Sequence, residues 1–461
     1  MDYDLIVIGG GPAGYVGAIR AAQLGKKVAC VEMERAGGTC LNWGCIPTKA
    51  LLKNAEVYRS IQDAADFGLT VGDVKVDFPK VIARSRGVSD RMAKGIEFLF
   101  KSKKVDYIVG QGQITKDKKV LVTKADGTKE THGAKNILVT TGAKARPLPG
   151  LEVDGKRVHT SRTILEVKEQ PKSLIVIGAG AIGVEFSYFF NTFGTKVTLV
   201  EMLPQILPVE DTEAAELLKK QFIKDGIDVH TDTKVESPEV TPKGVKVTLV
   251  GKEKKVLEAD ALLVSIGVQP NLDGLLADGV KLDLDRGYIK TNDRYETSLP
   301  GVLAAGDIIG PPWLAHVASH EAIEAVEGLY VKGKKPHKVT LFPGCTYCQP
   351  QVASIGVTEK KAAELKLKYK VVKFPYRAVG KAVAAAEPEG FLKLIVGQPH
   401  GEILGAHIIG LEATELIAEL GLAMNLEATL DELISTIHAH PTLSEIIHEA
   451  ALAGLDRPIH M

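Results

Sequence analysis

Two stretches of the chain share one pattern of apolar and polar positions. An apolar run at Leu5–Ile8 leads into a glycine-rich turn, a stretch with helical periodicity, and a second apolar run that ends at Glu32. The same order recurs from Leu174 to Glu201, with equal spacing between the first glycine of the turn and the closing acid. This order predicts a strand, a helix and a second strand. The sequence therefore predicts two β-α-β units.

Further apolar runs extend this prediction to a fold class. Runs that end at Gly142 and Gly267 would add another strand to each unit, which indicates two doubly wound α/β dinucleotide-binding domains. From about residue 341, strand-like runs alternate with helical ones, as in a separate α+β domain. The predicted domains are residues 1–147, residues 148–270, a central segment 271–340 that returns to the first domain, and residues 341–461.

Composition and charge narrow the class of protein. The 461 residues are 45% hydrophobic and 25% charged, and the formal net charge is zero. That balance is typical of a globular enzyme and argues against a generally basic nucleic-acid-binding protein. The amino terminus lacks the pattern of a secretory signal, and no window approaches the roughly 20 apolar residues that span a bilayer. We therefore expect a cytoplasmic protein that binds neither nucleic acid nor membrane.

The two glycine turns carry the first candidate chemistry. A G-x-G-x-x-G turn between a strand and a helix lets a pyrophosphate approach the helix amino terminus, and the later acid accepts from a ribose hydroxyl. One such turn is weak support, but two with equal spacing predict two bound dinucleotides. The residues are Gly9, Gly11, Gly14 and Glu32 in the first turn, and Gly178, Gly180, Gly183 and Glu201 in the second.

The acid of the second turn also indicates which nicotinamide dinucleotide binds. A carboxylate at Glu201 accepts from the ribose 2′-hydroxyl and repels a 2′-phosphate. The following Met202-Leu203-Pro204 contains no arginine that would reverse this preference. The sequence therefore favours NAD over NADP.

The spacing of Cys40 and Cys45 is the second candidate feature. Two buried small residues are the ordinary fate of free cysteines. However, a distorted turn at Gly44 would bring the two side chains together, and Pro47 suits the first turn of a helix. A cysteine at a helix amino terminus has a stabilised thiolate. A redox role for the pair is the better interpretation.

A third motif runs from His438 to Glu445. Its simplest interpretation is a capping box, with Thr442 as N-cap and Glu445 three residues later. Half of a metal site is a weaker alternative, because no cluster of further ligands is evident. The functional interpretation makes His440 an acid–base group for a thiol, with Glu445 orienting its imidazole.

These motifs together resemble those of the flavoprotein disulfide reductases, and most closely the branch that oxidises dihydrolipoamide. The similarity covers nearly the whole chain in the same order. It is carried by both glycine turns and by Gly37–Pro47, Ala304–Asp307 and His438–Glu445. The resemblance implies a redox disulfide between Cys40 and Cys45.

The resemblance also implies cofactors and partners. It implies that FAD binds at Gly9, Gly11, Gly14, Glu32, Lys49, Gly142, Asp307 and Ala315. It implies that NAD binds at Gly178, Gly180, Gly183, Glu185, Glu201 and Gly267, and that no metal is used. Lys49 would lie near the flavin N5 and pair with Glu185. Residues 341–461 would form the interface of a homodimer. In this homodimer, His440 and Glu445 of one chain would complete the disulfide site of the other. The further partner would be a lipoyl-bearing acyltransferase or carrier protein.

Two departures from the family pattern leave alternatives open. Val268 stands where many relatives have an arginine, which puts an arginine contact to the nicotinamide cofactor in doubt. Cys345 and Cys348 are outside the pattern. We expect ordinary buried residues, since i and i+3 in a strand face opposite ways, and a redox or metal role is the weaker alternative. Two alternative functions stay open. One is an NADH-linked reductase of another disulfide or metal substrate, and the other is a protein that serves mainly in the assembly of a complex.

Overall fold

The computed structural model describes all 461 residues, and its first part is built on a seven-stranded sheet. Elements are numbered in chain order. The strands of this sheet are β1 (Tyr3–Ile8), β2 (Val28–Glu32), β3 (Val105–Val109), β4 (Gln111–Ile114), β5 (Lys119–Thr123), β6 (Lys129–Val139) and β19 (Val302–Ala304). The order is β3-β2-β1-β6-β5-β4, and β19 also pairs with β6. The pairs around β1 are parallel, whereas β4, β5 and the start of β6 form an antiparallel extension.

Five helices accompany the first sheet: α1 (Pro12–Gln23), α2 (Gly38–Trp43), α3 (Cys45–Gln62), α4 (Phe78–Ser102) and α7 (Ala315–Tyr330). Helix α1 buries a face of small residues, among them Ala13, Gly17 and Ala21. Because these side chains are short, α1 packs closely on α7, and an added Cβ at Gly17 would lie 3.3 Å from the Cβ of Ala322. None of the helices combines the length and apolar character that crossing a bilayer requires.

The second part repeats the parallel arrangement. Its five-stranded sheet consists of β8 (Val158–Thr160), β9 (Ser173–Ile177), β10 (Lys196–Val200), β11 (Asp228–His230) and β15 (Ala261–Val264), in the order β11-β10-β9-β15-β8. Helices α5 (Ala181–Thr192) and α6 (Thr212–Lys224) accompany it. An antiparallel sheet of β12 (Lys234–Thr241), β13 (Gly244–Val250) and β14 (Lys254–Ala259) lies between β11 and β15 in sequence. Both predicted β-α-β units are therefore present.

Short ribbons join these two parts. Strand β7 (Ala143–Ala145) pairs antiparallel with β16 (Val268–Pro270). The segment that leaves the first sheet therefore runs beside the segment that returns towards it. Strands β17 (Leu284–Asp285) and β18 (Tyr288–Ile289) form a second ribbon before the chain reaches β19 in the first sheet.

The third part is an antiparallel sheet with helices. Its strands are β20 (Pro343–Thr346), β21 (Gln351–Gly356), β22 (Tyr369–Pro375), β23 (Phe391–Gly397) and β24 (Ile403–Gly410), in the order β20-β21-β24-β23-β22. Its helices are α8 (Glu359–Glu364), α9 (Gly380–Ala384), α10 (Ala413–Asn425), α11 (Leu430–Ser435) and α12 (Glu445–Gly454). The predicted fold class, two doubly wound units and an α+β unit, is confirmed.

One apolar core joins all three parts. It contains residues of α3 and α4, the buried aromatic face of α5, and residues of the third sheet such as Val352 and Ile409. Helix α5 is apolar on most sides, with Phe186, Phe189 and Phe190 each at most 1% exposed. A helix that is apolar nearly all round needs contacts on every side, and here the three parts supply them.

A buried charge cluster also links the second and third parts. The Lys393 side chain on β23 is 1% exposed, and its ammonium lies 3.0 Å from Asp211. Glu213 and Glu359 approach the same ammonium at 2.9 and 2.7 Å. Asp211 is itself buried and caps α6 by accepting from the Glu213 N–H. Three carboxylates therefore compensate for the burial of this lysine.

Replacing Lys393 with Met should destabilise the protein strongly. The variant leaves the Asp211 carboxylate, with a side chain 3% exposed, without its cation. Loss of one partner from such a pair costs about 3–5 kcal/mol. The matched control is Lys373→Met, because Lys373 also pairs with Glu213 but is 46% exposed, and exposed pairs contribute at most about 1 kcal/mol. Thermal unfolding of the two variants checks this, and equal falls in melting temperature would contradict it.

Candidate active site

Backbone packing requires glycine in both predicted dinucleotide turns. A Cβ at Gly14 would lie 1.8 Å from the Gly9 carbonyl oxygen, and one at Gly183 would lie 1.9 Å from that of Gly178. Each helix can therefore start close behind its strand only if the residue has no side chain. A Cβ at Gly180 would meet no atom within 4 Å. The amino terminus of α5 thus faces open space of the kind that a pyrophosphate needs.

A hydroxyl from the neighbouring strand supports each turn, and the sequence analysis did not identify it. Thr140 donates to the carbonyl oxygens of Ile8 and Gly9 at 3.1 and 2.9 Å. Ser265 donates in the same way to Ile177 and Gly178, at 2.9 and 2.8 Å. The repeat therefore includes one hydroxyl residue just after β6 and another just after β15. In the sequence, a single threonine or serine is the only sign of this contact.

Both predicted acids lie at the ends of their strands. Glu32 accepts backbone N–H groups of Gly10 and Glu34 at 2.6 and 2.8 Å. Glu201 accepts those of Ala179 and Leu203 at 2.7 and 2.9 Å. Burial raises the pKa of Glu32 despite these hydrogen bonds. Each carboxylate oxygen retains a further lone pair, so a ribose hydroxyl can still donate to it.

Further predicted contacts lie around the first turn. Asp307 opens the turn after β19, next to α1, and an added Cβ at Gly306 would lie 3.2 Å from the Cβ of Ala13. Burial alone raises the pKa of Asp307 to about 6, and no donor of the chain pairs with its carboxylate. Ala315 begins α7, and Gly142 follows β6 with open space around it. A half-buried carboxylate without a partner in the chain fits a ligand that carries hydroxyl donors, as FAD does.

The turn at Gly44 places Cys40 and Cys45 side by side, near disulfide distance, as two free thiols. Helix α2 carries Cys40, and α3 begins at Cys45, as the sequence predicted. A hydrogen bond from the Cys40 thiol lowers the pKa of Cys45, and the Lys49 ammonium lowers it further. The same hydrogen bond, together with burial, raises the pKa of Cys40. These contacts favour a thiolate at Cys45 over one at Cys40.

A residue between the two cysteines and a residue of α4 hold this turn, and the sequence analysis missed both contacts. Asn42 is fully buried and donates to the carbonyl oxygens of Ala36 and Gly38, both at 3.0 Å. Arg86 of α4 donates to the Asn42 carbonyl oxygen at 2.6 Å. The guanidinium of Arg86 also lies 4.2 Å from the ring centre of Trp43. An asparagine between the two cysteines was the only local signal.

Lys49 and Glu185 form the predicted ion pair. The Lys49 ammonium lies 2.9 and 3.0 Å from the two carboxylate oxygens, and the Glu185 side chain is 5% exposed. Tyr347, from the segment between β20 and β21, contacts both partners and was not predicted.

His440 and Glu445 are also brought together. His440 Nδ1 lies 2.9 Å from Glu445 Oε1, and the imidazole is 77% exposed. Burial would raise the pKa of Glu445, but hydrogen bonds from the Thr442 N–H and from His440 lower it overall. The prediction of Thr442 as N-cap is wrong. Helix α12 starts later, at Glu445, and the Thr442 hydroxyl donates to the Ala439 carbonyl instead.

The structure also shows the surroundings of His438, of the two further cysteines and of Val268. His438 pairs with Glu419 at 2.6 Å, and no cluster of side chains suited to a metal ion is present. Cys348 is buried and Cys345 is partly buried, both as free thiols. The Val268 carbonyl accepts from Arg146 and Tyr288 at 3.2 and 3.3 Å, beside Gly267.

Comparisons with known proteins agree with this geometry. The pyridine nucleotide-disulphide oxidoreductase model matches residues 3–322, and the dimerisation-domain model of the same family matches residues 342–451. A dihydrolipoyl dehydrogenase of Chlorobaculum tepidum is 46% identical over 98% of this chain and 97% of its own length. One of Bacillus subtilis is 42% identical over 100% and 99%. The crystal structure of LpdA from Mycobacterium tuberculosis superposes with a TM-score of 0.90 at 28% identity, covering 97% of this chain and 99% of that one. The chain belongs to the pyridine nucleotide-disulphide oxidoreductase family.

Proposed function

We propose that this protein oxidises protein-bound dihydrolipoamide to lipoamide and reduces NAD to NADH. The observation that carries the proposal is the Cys40–Cys45 pair, in which Lys49 and the Cys40 thiol stabilise the Cys45 thiolate. When this pair is oxidised to a disulfide, its lower-pKa member is a good leaving thiolate for exchange with a substrate dithiol. The full-length relatives named dihydrolipoyl dehydrogenase support dihydrolipoamide as the substrate.

We infer the following division of binding roles. Residues 1–147 with 271–340 would bind FAD, residues 148–270 would bind NAD, and residues 341–461 would form the dimer interface. FAD would be held by the first glycine turn, Glu32, Lys49, Gly142, Asp307 and Ala315. NAD would be held by the second turn, Glu185, Glu201 and Gly267. Bound FAD supplies a two-electron acceptor between the dithiol and NAD.

The cysteines and the histidine carry out the thiol chemistry in this proposal. His440 takes a proton from one substrate thiol, and the resulting thiolate attacks Cys40 Sγ of the disulfide. A substrate–Cys40 disulfide forms, and Cys45 leaves as a thiolate. The second substrate thiol then loses its proton and attacks the first substrate sulfur. Lipoamide leaves, and Cys40 departs as a thiolate that takes up a proton. The substrate has lost two electrons and two protons, and the cysteine pair has gained the electrons.

We infer that His440 acts across a homodimer. The imidazole is 77% exposed in the single chain, and it is not among the main groups that shift the pKa of either cysteine. A base that is exposed, fixed by Glu445 and far from the cysteines in sequence suits a site completed by a second copy. The dimerisation-domain match supports this arrangement. The substrate arm would come from a lipoyl-bearing acyltransferase or carrier protein.

The cysteine variants test the proposed reaction. Given dihydrolipoamide and NAD, the FAD-loaded protein should form NADH without any partner protein, whereas a protein that serves only in assembly should form none. Cys40→Ser and Cys45→Ser should each lower turnover at least about a thousandfold, because exchange needs both sulfurs. Cys40→Ser should also show a long-wavelength flavin–thiolate band in the oxidised protein, since Cys45 remains. Cys45→Ser should lack the band. Matching spectra for the two variants would contradict the assigned roles.

Subunit mixing tests the shared site. A Cys40→Ser chain and a His440→Gln chain should both be inactive as homodimers. In the mixed dimer one site carries both changes and the other carries neither, so activity should return to up to about half of the wild-type value. NADH formation by purified mixed dimers is the measurement. Inactive mixed dimers would show that His440 acts within its own chain, or not at all.

A further inference from the structure

Three separate parts of the chain meet at the Lys49 ammonium. Lys49 lies on α3 and Glu185 on α5, and Tyr347 follows β20 of the third sheet. The ammonium lies 4.2 Å from the centre of the Tyr347 ring. The Tyr347 backbone N–H donates to Glu185 Oε1 at 3.0 Å. Tyr347 therefore contacts the cation through its ring and the anion through its backbone.

The position of this ammonium matters for Cys45. Lys49 follows Cys45 by four residues on α3, which places both side chains on the same face of the helix. The Lys49 charge lowers the pKa of Cys45, whereas the Glu185 charge raises it. A displacement of the ammonium away from Cys45 would weaken the first effect and leave the second uncompensated. Both changes disfavour the thiolate.

An adjacent cavity offers Lys49 other positions. The cavity has a volume of about 150 Å³, and Lys53, Glu56 and Tyr188 line it together with Lys49 and Tyr347. Glu56 pairs with Lys53 and is the second carboxylate that a flexible Lys49 side chain could approach from this cavity. The Lys49 side chain is 32% exposed, so packing alone does not prevent this movement. The Tyr347 ring covers one side of the ammonium.

We propose that Tyr347 is a positioning residue whose ring face holds the Lys49 ammonium between Glu185 and Cys45. The interface part of the chain would thereby set the thiolate character of a cysteine in the first part. A cation over an aromatic face gains from the ring quadrupole, and this gain needs the ring but not its hydroxyl. The inference rests on the proposed role of Cys45 as the thiolate of the redox pair.

The experiment follows the pH dependence of Cys45 alkylation. FAD-loaded Cys40→Ser protein is treated with iodoacetamide, and mass spectrometry resolves the rate at Cys45 from the rates at the other cysteines. Tyr347→Leu should shift the profile upward by about half a pH unit, which is roughly a threefold loss of thiolate below the pKa. Tyr347→Phe should keep the original profile. Ring-fluorinated phenylalanine at the same position keeps the shape but weakens the ring face, and should fall between Phe and Leu.

The titratable groups around Cys45 define the controls. The charged or ionisable neighbours that face it are Cys40, Lys49, Glu185, Tyr347 and Tyr15. Every variant also carries Cys40→Ser, so Cys40 does not contribute. Lys49, Glu185 and Tyr15 are the same in all variants, and Tyr347 is the only one of these neighbours that is changed. Tyr188→Leu is the matched control, because Tyr188 lines the same cavity but does not lie over Lys49. It should leave the profile unchanged.

Several outcomes would overturn the proposal. An unchanged profile in Tyr347→Leu, an equal shift in Tyr347→Phe, or an equal shift in Tyr188→Leu each would do so. If Tyr347→Leu does not retain FAD, identical profiles for phenylalanine and its fluorinated forms would overturn it instead. Alkylation needs neither dihydrolipoamide nor NAD. A protein without lipoamide turnover would therefore refute the proposed function and still yield this profile.

Discussion

The rest of the site depends on the Lys49–Glu185 ion pair. Burying a carboxylate whose side chain is only 5% exposed is costly unless a close cation and hydrogen-bond donors surround it. Glu185 finds the cation on α3 of the first part and a backbone donor at Tyr347 of the third. Losing either partner leaves a buried charge uncompensated, at a cost of several kcal/mol. This constraint fixes α3 relative to α5, and α3 begins with Cys45.

The apolar contacts around the ion pair also hold α5 in a fixed position. The core that joins the three parts surrounds α5, so the helix that carries Glu185 has little freedom to shift. At its amino terminus α5 carries the second glycine turn, and α3 starts beside the turn that brings Cys40 to Cys45. One rigid junction therefore sets the distance between the dithiol and both proposed dinucleotide sites. Holding reacting groups in a fixed orientation lowers the barrier to their reaction.

The sequence predicted the features that depend on nearby residues. The glycine turns, the acids Glu32 and Glu201, and the start of α3 at Cys45 follow from local spacing, because sterics within a few residues decide them. The cap at Thr442 failed although its pattern is also local. The Glu445 carboxylate there serves two donors, the Thr442 N–H and His440, and the helix begins only at Glu445.

Contacts between distant parts of the chain were beyond the sequence analysis. Tyr347 lies far from both Lys49 and Glu185 in sequence, and nothing in its surroundings marks it as a partner of either. The same is true of Arg86, which holds the cysteine turn, and of Lys393, whose charge looks like that of any surface lysine. Their roles arise from the packing of three parts of the chain, which a local pattern does not encode. The Lys49–Glu185 pair was predicted only through the family resemblance.

The central claim is that two electrons pass from the substrate dithiol through Cys40 and Cys45 before they reach NAD. Anaerobic mixing of the FAD-loaded protein with an equimolar amount of dihydrolipoamide, without NAD, tests it most directly. The account predicts that lipoamide forms together with a long-wavelength flavin–thiolate band, and that later addition of NAD removes the band as NADH appears. An unchanged spectrum on mixing, or NADH formation at the full rate without the band, would contradict it.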